Sequence, residues 1–169
     1  MSSLRTAVAG LLVVVALILQ VAVFPHVAWE GIVPDLCLLV VVAAALVRGP
    51  AFAATLGFFA GLLLDLAPPA DHVAGRWALS LVVVGCVAGL MRQDTRTQLS
   101  TVVATVAASS FVGTSVFALT GLVLGDSVGS PADLAKVILV ALLWDVLLAP
   151  VVLPGLMRLL TRLEPAGAR

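Results

Sequence analysis

A succession of apolar runs, separated by short breaks, is the feature that most constrains this sequence. The breaks between the runs hold proline, glycine, arginine or aspartate. The chain is 62% hydrophobic and only 11% charged, whereas a soluble domain has about 25% charged residues. This deficit of charge predicts an integral membrane protein with a single membrane domain over residues 1–169. The formal net charge of zero gives no indication of nucleic-acid binding.

The number and length of the runs predict the fold class. We expect an all-α integral membrane protein, a bundle of six transmembrane helices. The predicted spans are approximately 6–24, 32–48, 51–67, 76–91, 99–124 and 134–160. The first run could also be a signal peptide, but it is long and no clear small-residue cleavage site follows it, so we expect it to be retained. The second and third runs are short and could form a re-entrant hairpin. Because that hairpin would place Arg48 deep in the membrane, at roughly 2.5–3.5 kcal/mol or more, two crossings are favoured.

The basic residues predict the orientation of the bundle. With six crossings and both termini in the cytoplasm, seven of the nine basic residues lie inside, and Arg76 and Lys136 lie outside. Cytoplasmic loops of membrane proteins carry the excess of arginine and lysine. We therefore expect a multi-pass protein of the cytoplasmic membrane with both termini inside.

Pairs of glycines four residues apart mark three of the runs. The pairs are Gly57 with Gly61, Gly85 with Gly89, and Gly121 with Gly125. Residues at this spacing share one face of a helix, and small residues there let another helix approach closely. The partner helix could belong to this chain or to another protein. Asp65 continues the face of the first pair, and we expect it where lipid gives way to water.

Charged residues in or beside the spans are the remaining candidates for a site. Asp145 is expected near the membrane middle, where a carboxylate is a functional hypothesis by default. The alternative is a buried structural carboxylate, either protonated or bonded to a neighbouring Ser, Thr or Trp. We favour the structural alternative because we expect no second ionisable residue near the membrane middle. Pro34 and Asp35 open the second span, where a carboxylate complements the helix dipole. Asp65 and Arg76 bracket a loop, and they could pair or be solvated separately.

No sequence pattern for catalysis or cofactor binding is present. Motifs for a nucleophile elbow, a zinc protease, a phosphate loop and a dinucleotide fingerprint are all missing. Both histidines fall in predicted loops, and Cys37 and Cys86 lie inside apolar runs without a C-x-x-C pair. We therefore expect a protein that is not an enzyme, with no catalytic residue, no metal site and no cofactor.

Taken in order, several short motifs resemble the family of the rod shape-determining protein MreD. They are Pro34-Asp35-Leu36 opening the second span, then Gly57, Gly61, Leu62 and Asp65 closing the third, then Gly75, Ala78, Leu79 and Gly85 in the fourth. The chain departs from the family at Cys86, where the family often has an aromatic residue, and its last third matches in hydropathy alone. The resulting candidates for helix packing or a partner interface are Pro34, Asp35, Gly57, Gly61, Asp65, Gly75, Arg76, Gly85, Gly89 and Asp145.

The resemblance implies a role in a complex and no reaction. It implies a scaffold of the cell-elongation complex in the bacterial cytoplasmic membrane, helping to maintain cell shape during peptidoglycan synthesis. The bitopic protein MreC is the implied direct partner. The actin-like MreB, the elongation glycosyltransferase and a penicillin-binding transpeptidase are implied indirect partners. The family fold also resembles the small-solute-binding membrane subunit of energy-coupling-factor transporters, which gives the alternative function. Few aromatic residues are available to stack a vitamin, which favours the scaffold.

Overall fold

The computed structural model describes residues 2–68, 73–92, 98–126 and 130–162. Six α-helices occupy most of these ranges: α1 Ser2–Ile18, α2 Leu36–Arg48, α3 Pro50–Leu66, α4 Arg76–Leu90, α5 Leu99–Leu124 and α6 Pro131–Arg162. The predicted all-α class with six helices is confirmed, since these ranges hold no β-strand and only one isolated bridge. One of the two histidines predicted to lie in loops, His72, and two of the basic residues predicted to lie inside, Arg96 and Arg169, are outside the described ranges.

Three segments are long and apolar enough to cross a membrane. They are Leu4–Val27, Leu99–Leu124 and Pro131–Arg162. The helices α2, α3 and α4 are shorter, with 13, 17 and 15 residues. At about 1.5 Å per residue, these helices measure about 20–26 Å, against about 30 Å of hydrocarbon. Six full crossings therefore stay a prediction.

Three different types of turn follow one another in the chain between α1 and α2. A π-helical turn, Leu19–Val23, continues α1, and a 3-10 turn, Phe24–Val27, follows it. Glu30 and Gly31 then adopt positive φ angles of 52° and 80°, as a two-residue hairpin turn of the primed type requires. The second predicted span is consequently helical only from Leu36 onward.

Helix α2 lies at the centre of the bundle. Eleven of its thirteen residues are buried, on every side of the helix. It contacts each of the other five helices. Those five are arranged around it in the order α1, α3, α4, α5, α6, and each contacts the next one in this order. A helix that is apolar all round belongs in such an interior position.

Helices α3 and α4 pack closely through both of their glycine pairs. A Cβ atom at Gly57 would lie 2.3 Å from the carbonyl oxygen of Leu81, and one at Gly61 would lie 2.3 Å from that of Trp77. On the opposite helix, a Cβ atom at Gly85 or Gly89 would meet the backbone of Ala53 or Pro50 at 2.6 or 2.4 Å. The two pairs therefore serve the same contact within this chain, where they bring two helix backbones together.

The two ends of the bundle differ in charge. At one end, ion pairs join Arg76 of α4 to Asp126 and Lys136 of α6 to Glu30. We call this the acidic end; it also carries Asp133. The opposite end, the arginine end, carries Arg48, Arg92, Arg158 and Arg162 among the described residues.

Candidate functional site: a carboxylate cluster inside the bundle

The N-terminus of α2 lies inside the bundle, and polar side chains bind its free N–H groups. Asp35 is the N-cap, and its Oδ1 accepts a hydrogen bond from the Leu38 amide at 2.9 Å. The Cys37 amide donates to Oε1 of Gln20 at 3.2 Å. The Asp35 amide donates to Oδ1 of Asp145 at 2.8 Å. The first N–H groups of every helix lack an intrahelical acceptor. In α2, the side chains of Asp35, Gln20 and Asp145 supply acceptors for three of them.

Asp145 ties three helices together at this point. Its Oδ2 accepts a hydrogen bond from Oγ of Ser110 at 2.7 Å, and its Oδ1 binds the start of α2. Asp145 and Ser110 are almost completely buried, with 1% and 0% of their surfaces exposed. Both residues lie near the midpoints of their own long helices, α6 and α5. We call Gln20, Asp35, Ser110 and Asp145 the carboxylate cluster.

The expectation that Asp145 has no second ionisable residue at its depth is wrong. Asp35, which the sequence placed at the start of a full span, lies beside it. The cause is the stretch from the Glu30–Gly31 turn to Pro34, which carries the chain inward before α2 begins. Backbone outside a helix is tolerated at membrane depth where protein surrounds it, and Pro34 and Asp35 are both buried.

Asp65 caps the start of α4 from the preceding helix. Its carboxylate accepts hydrogen bonds from the amides of Gly75 at 2.8 Å, Trp77 at 3.0 Å and Ala78 at 3.2 Å. Gly75, the N-cap position itself, has φ of 102° and no side chain to serve as a cap. Asp65 is 2% exposed, so the alternative in which it is solvated separately from Arg76 is wrong, and its position where lipid gives way to water stays a prediction. The carboxylate lies inside the protein because it replaces a missing cap.

Arg76 joins the start of α4 to the end of α5. Its Nη1 pairs with Asp126, and its Nη2 donates to the carbonyl oxygen of Phe117 at 2.9 Å. The guanidinium also stacks over the Phe117 ring, 4.0 Å from the centroid. A Cβ atom at Gly121 would lie 2.3 Å from Nη2. Gly121 therefore leaves room for the Arg76 guanidinium. Gly125, the second glycine of this pair, ends α5 with φ of 81°.

The ten candidates from the sequence fall into four places. The start of α2 brings together Pro34, Asp35 and Asp145. The contact between α3 and α4 contains the four glycines Gly57, Gly61, Gly85 and Gly89. The cap of α4 consists of Asp65 and Gly75, and Arg76 lies apart from all of these, beside α5. Their roles in packing or in binding a partner stay predictions.

Sequence reasoning missed Gln20, Ser110 and Asp126 as members of these sites. Gln20 had a visible signal, because it is the one amide side chain in the first apolar run. Ser110 had none, since it is one of many small hydroxyl residues in α5. Its bond to Asp145 depends on how α5 and α6 pack.

The cluster is built to hold helices in place. Both oxygens of Asp145 and one oxygen of Asp35 accept hydrogen bonds from the chain's own amide or hydroxyl groups. Among the residues that the structure describes, no three of His, Cys, Asp and Glu come together as metal ligands could. The arrangement thus fixes α2, α5, α6 and the π-helical turn that follows α1 at one level of the bundle.

The fold and these sites define a class: an all-helical, membrane-associated protein whose buried polar side chains join its helices. Within that class, the family model of the rod shape-determining protein MreD matches residues 1–163, and the chain belongs to this family. The resemblance drawn from the ordered motifs is therefore confirmed. Proteins of this family are structural components of the system that determines rod shape. Among curated proteins and among solved structures, none matches the chain.

Proposed function

We propose that this protein is a membrane scaffold of the bacterial cell-elongation complex, which couples MreC and MreB to lateral peptidoglycan synthesis. The observation that carries the proposal is the use of the buried carboxylates. Asp35, Asp65 and Asp145 all accept hydrogen bonds from the chain's own backbone or side chains. Because these groups hold helices, the contribution to the complex comes from surface contacts and not from catalysis.

The proposed topology has six spans, with both termini and the arginine end in the cytoplasm. The charge difference between the two ends supports it, since arginine and lysine are enriched on the cytoplasmic side. The shortness of α2 is compatible with it, because the other five helices surround α2, so its length need not match the bilayer.

A labelling experiment tests this topology. In a chain with Cys37 and Cys86 replaced by alanine, single cysteines are introduced at Ala74, Ser130 or Gln98, all of which are exposed. A membrane-impermeant maleimide should label positions 74 and 130 in intact cells, and position 98 only after permeabilisation. Labelling of position 98 in intact cells would refute the proposed orientation.

The outer helices are the surfaces that remain for a partner. The glycines of α3 and α4 are covered within the chain, whereas α1 and α6 expose large apolar side chains, such as Leu11 at 61% and Val151 at 76%. MreC is the direct partner in this proposal. MreB, the elongation glycosyltransferase and the penicillin-binding transpeptidase are reached through it.

Complementation together with copurification tests the scaffold role. In a strain depleted of its own MreD, the wild-type chain should restore cell shape and copurify with MreC. Leu11→Trp and Val151→Trp, on α1 and α6, should show which face is used: one of them should lose MreC and cell shape at unchanged membrane abundance. A wild-type chain that restores shape without retaining MreC would contradict direct binding. One that is abundant but restores nothing would contradict the function itself.

A further inference from the structure

One face of α6 carries a stripe of exposed apolar residues that ends in two exposed arginines. In chain order, the members of this stripe are Leu143, Leu147, Val151, Gly155, Arg158 and Arg162. Successive members are three or four residues apart, so they lie on the same face of the helix. The three large apolar members are 44%, 58% and 76% exposed. We call these six residues the α6 stripe.

The α6 stripe is about as long as one leaflet of a bilayer. Leu143 and Arg158 are 15 positions apart, which corresponds to about 22 Å along a helix. Half of a bilayer, with its headgroup region, measures about 20–22 Å. Because α6 is long and apolar enough to cross a membrane, the large apolar members lie at the depth of the acyl chains and the arginines at the depth of the headgroups.

The two arginines are accessible to a ligand. Both are exposed, and within the described ranges neither forms an ion pair with an acidic side chain. A Cβ atom added at Gly155 would meet no atom within 4 Å, so the space about one turn before Arg158 is open. A guanidinium binds phosphate oxygens through two parallel N–H donors, and the opposite charges strengthen these bonds. This end of the stripe therefore suits a phosphate group with a net negative charge.

We propose that the α6 stripe binds one anionic phospholipid of the surrounding bilayer. The phosphate lies at Arg158 and Arg162, the glycerol passes over Gly155, and an acyl chain follows the stripe toward Leu143. The two unpaired positive charges favour an anionic lipid over a zwitterionic one. The inference goes beyond the proposed function, and it does not depend on which helix contacts MreC.

The stripe suits a lipid better than a transmembrane helix of another protein. Helices associate within a membrane through small residues or through hydrogen bonds between polar side chains. The part of the stripe that lies in the hydrocarbon, from Leu143 to Val151, offers neither on its exposed face. Large apolar side chains that end in two arginines instead match the acyl chain and the headgroup of a phospholipid.

The test measures which lipid stays on the purified full-length chain. The protein is equilibrated in micelles with equal amounts of phosphatidylglycerol and phosphatidylcholine, which have the same acyl chains and differ in net charge. Retained lipid is counted by native mass spectrometry. A basic residue at an anionic membrane surface contributes about 1 kcal/mol, which is about fivefold in affinity. Two arginines should therefore give a preference for phosphatidylglycerol of about tenfold or more, with one molecule per chain.

Variants that remove one charge locate the headgroup. Arg158→Gln and Arg162→Gln should each lower phosphatidylglycerol retention about fivefold. Arg92→Gln is the matched control, because Arg92 is exposed at the same end of the bundle but follows α4. It should leave retention unchanged. All three positions are exposed, so the exchanges should have little effect on folding.

A glycine variant locates the body of the lipid. Gly155→Trp fills the open space on the α6 stripe. Gly10→Trp makes the same exchange on α1, where an added Cβ atom also meets no atom within 4 Å. Gly155→Trp should lower phosphatidylglycerol retention at least as much as Arg158→Gln does, whereas Gly10→Trp should leave it unchanged.

Four outcomes would overturn the proposal. Equal retention of the two lipids by the wild type would contradict recognition of charge, and equal losses in Arg92→Gln and Arg158→Gln would leave only a general attraction to a basic surface. Equal retention by Gly155→Trp and Gly10→Trp would place the lipid elsewhere. Copurified MreC that displaces the lipid would assign the stripe to a protein helix. None of the first three outcomes bears on the scaffold proposal, whose readouts are cell shape and retention of MreC.

Discussion

Asp145 gives the most direct test of how the bundle is held together. Its two carboxylate oxygens are bonded to the Asp35 amide at 2.8 Å and to the Ser110 hydroxyl at 2.7 Å. Asparagine keeps one oxygen for the amide, and its NH₂ group can donate to the Ser110 oxygen. The exchange keeps both hydrogen bonds, and any charge that it removes from the start of α2 is worth at most about 1 kcal/mol. Asp145→Asn should therefore lower the free energy of unfolding by no more than about 1 kcal/mol.

Leucine at position 145 removes both bonds. The buried Asp35 amide left without an acceptor costs about 1–3 kcal/mol, and the bond to Ser110 adds the average for such interhelical bonds in membranes, about 0.6 kcal/mol. Asp145→Leu should therefore lower the free energy of unfolding by roughly 2–4 kcal/mol. This exceeds the cost of asparagine because only leucine leaves the Asp35 amide, at the start of α2, without an acceptor.

The assay is reversible unfolding in mixed detergent micelles, followed by circular dichroism. Ser110→Ala and the double variant Asp145→Leu/Ser110→Ala complete a double-mutant cycle. Asp145→Leu and Ser110→Ala each remove the bond between these two side chains. The sum of their losses in unfolding free energy should therefore exceed the loss in the double variant by about 0.6 kcal/mol. Equal destabilisation by asparagine and leucine would refute the hydrogen-bonding role. A folded, abundant Asp145→Asn chain that fails to restore cell shape would instead make this carboxylate a functional centre.

Three further substitutions test other contacts by the same unfolding assay. Gly61→Leu should cost about 3 kcal/mol or more by forcing α3 away from α4; Leu63→Ala on the exposed side of α3 should cost under about 1 kcal/mol, and comparable costs would contradict the close-packing argument. Gln20→Leu should cost about 1–3 kcal/mol by leaving an amide at the start of α2 unpaired; no loss would show that water or another group replaces the glutamine. Gly121→Val should displace the Arg76 guanidinium and cost about 1–3 kcal/mol, so a neutral effect would mean that this side chain moves freely.

Local signals in the sequence were enough to predict the class of protein, the number of helices and the family. Long apolar runs need no partner information to be recognised, since the cost of placing charge in lipid acts on each segment separately. Proline likewise marks the starts of two helices, Pro50 in α3 and Pro131 in α6. It does not mark every break, because α6 continues through Pro150 and Pro154. The Gly57–Gly61 and Gly85–Gly89 pairs also predicted helix faces that another helix can approach closely.

Which groups meet was decided only by the tertiary structure. The spacing of Gly57 and Gly61 could not say that their partner is the glycine-bearing face of α4, because periodicity defines a face and not what covers it. The meeting of Asp35 with Asp145 depends on a turn at Glu30 and Gly31 that carries the chain inward, so that α2 starts near the middle of α5 and α6. Hydropathy measures the cost of burying a segment in lipid, and it contains no term for a helix that protein surrounds on every side.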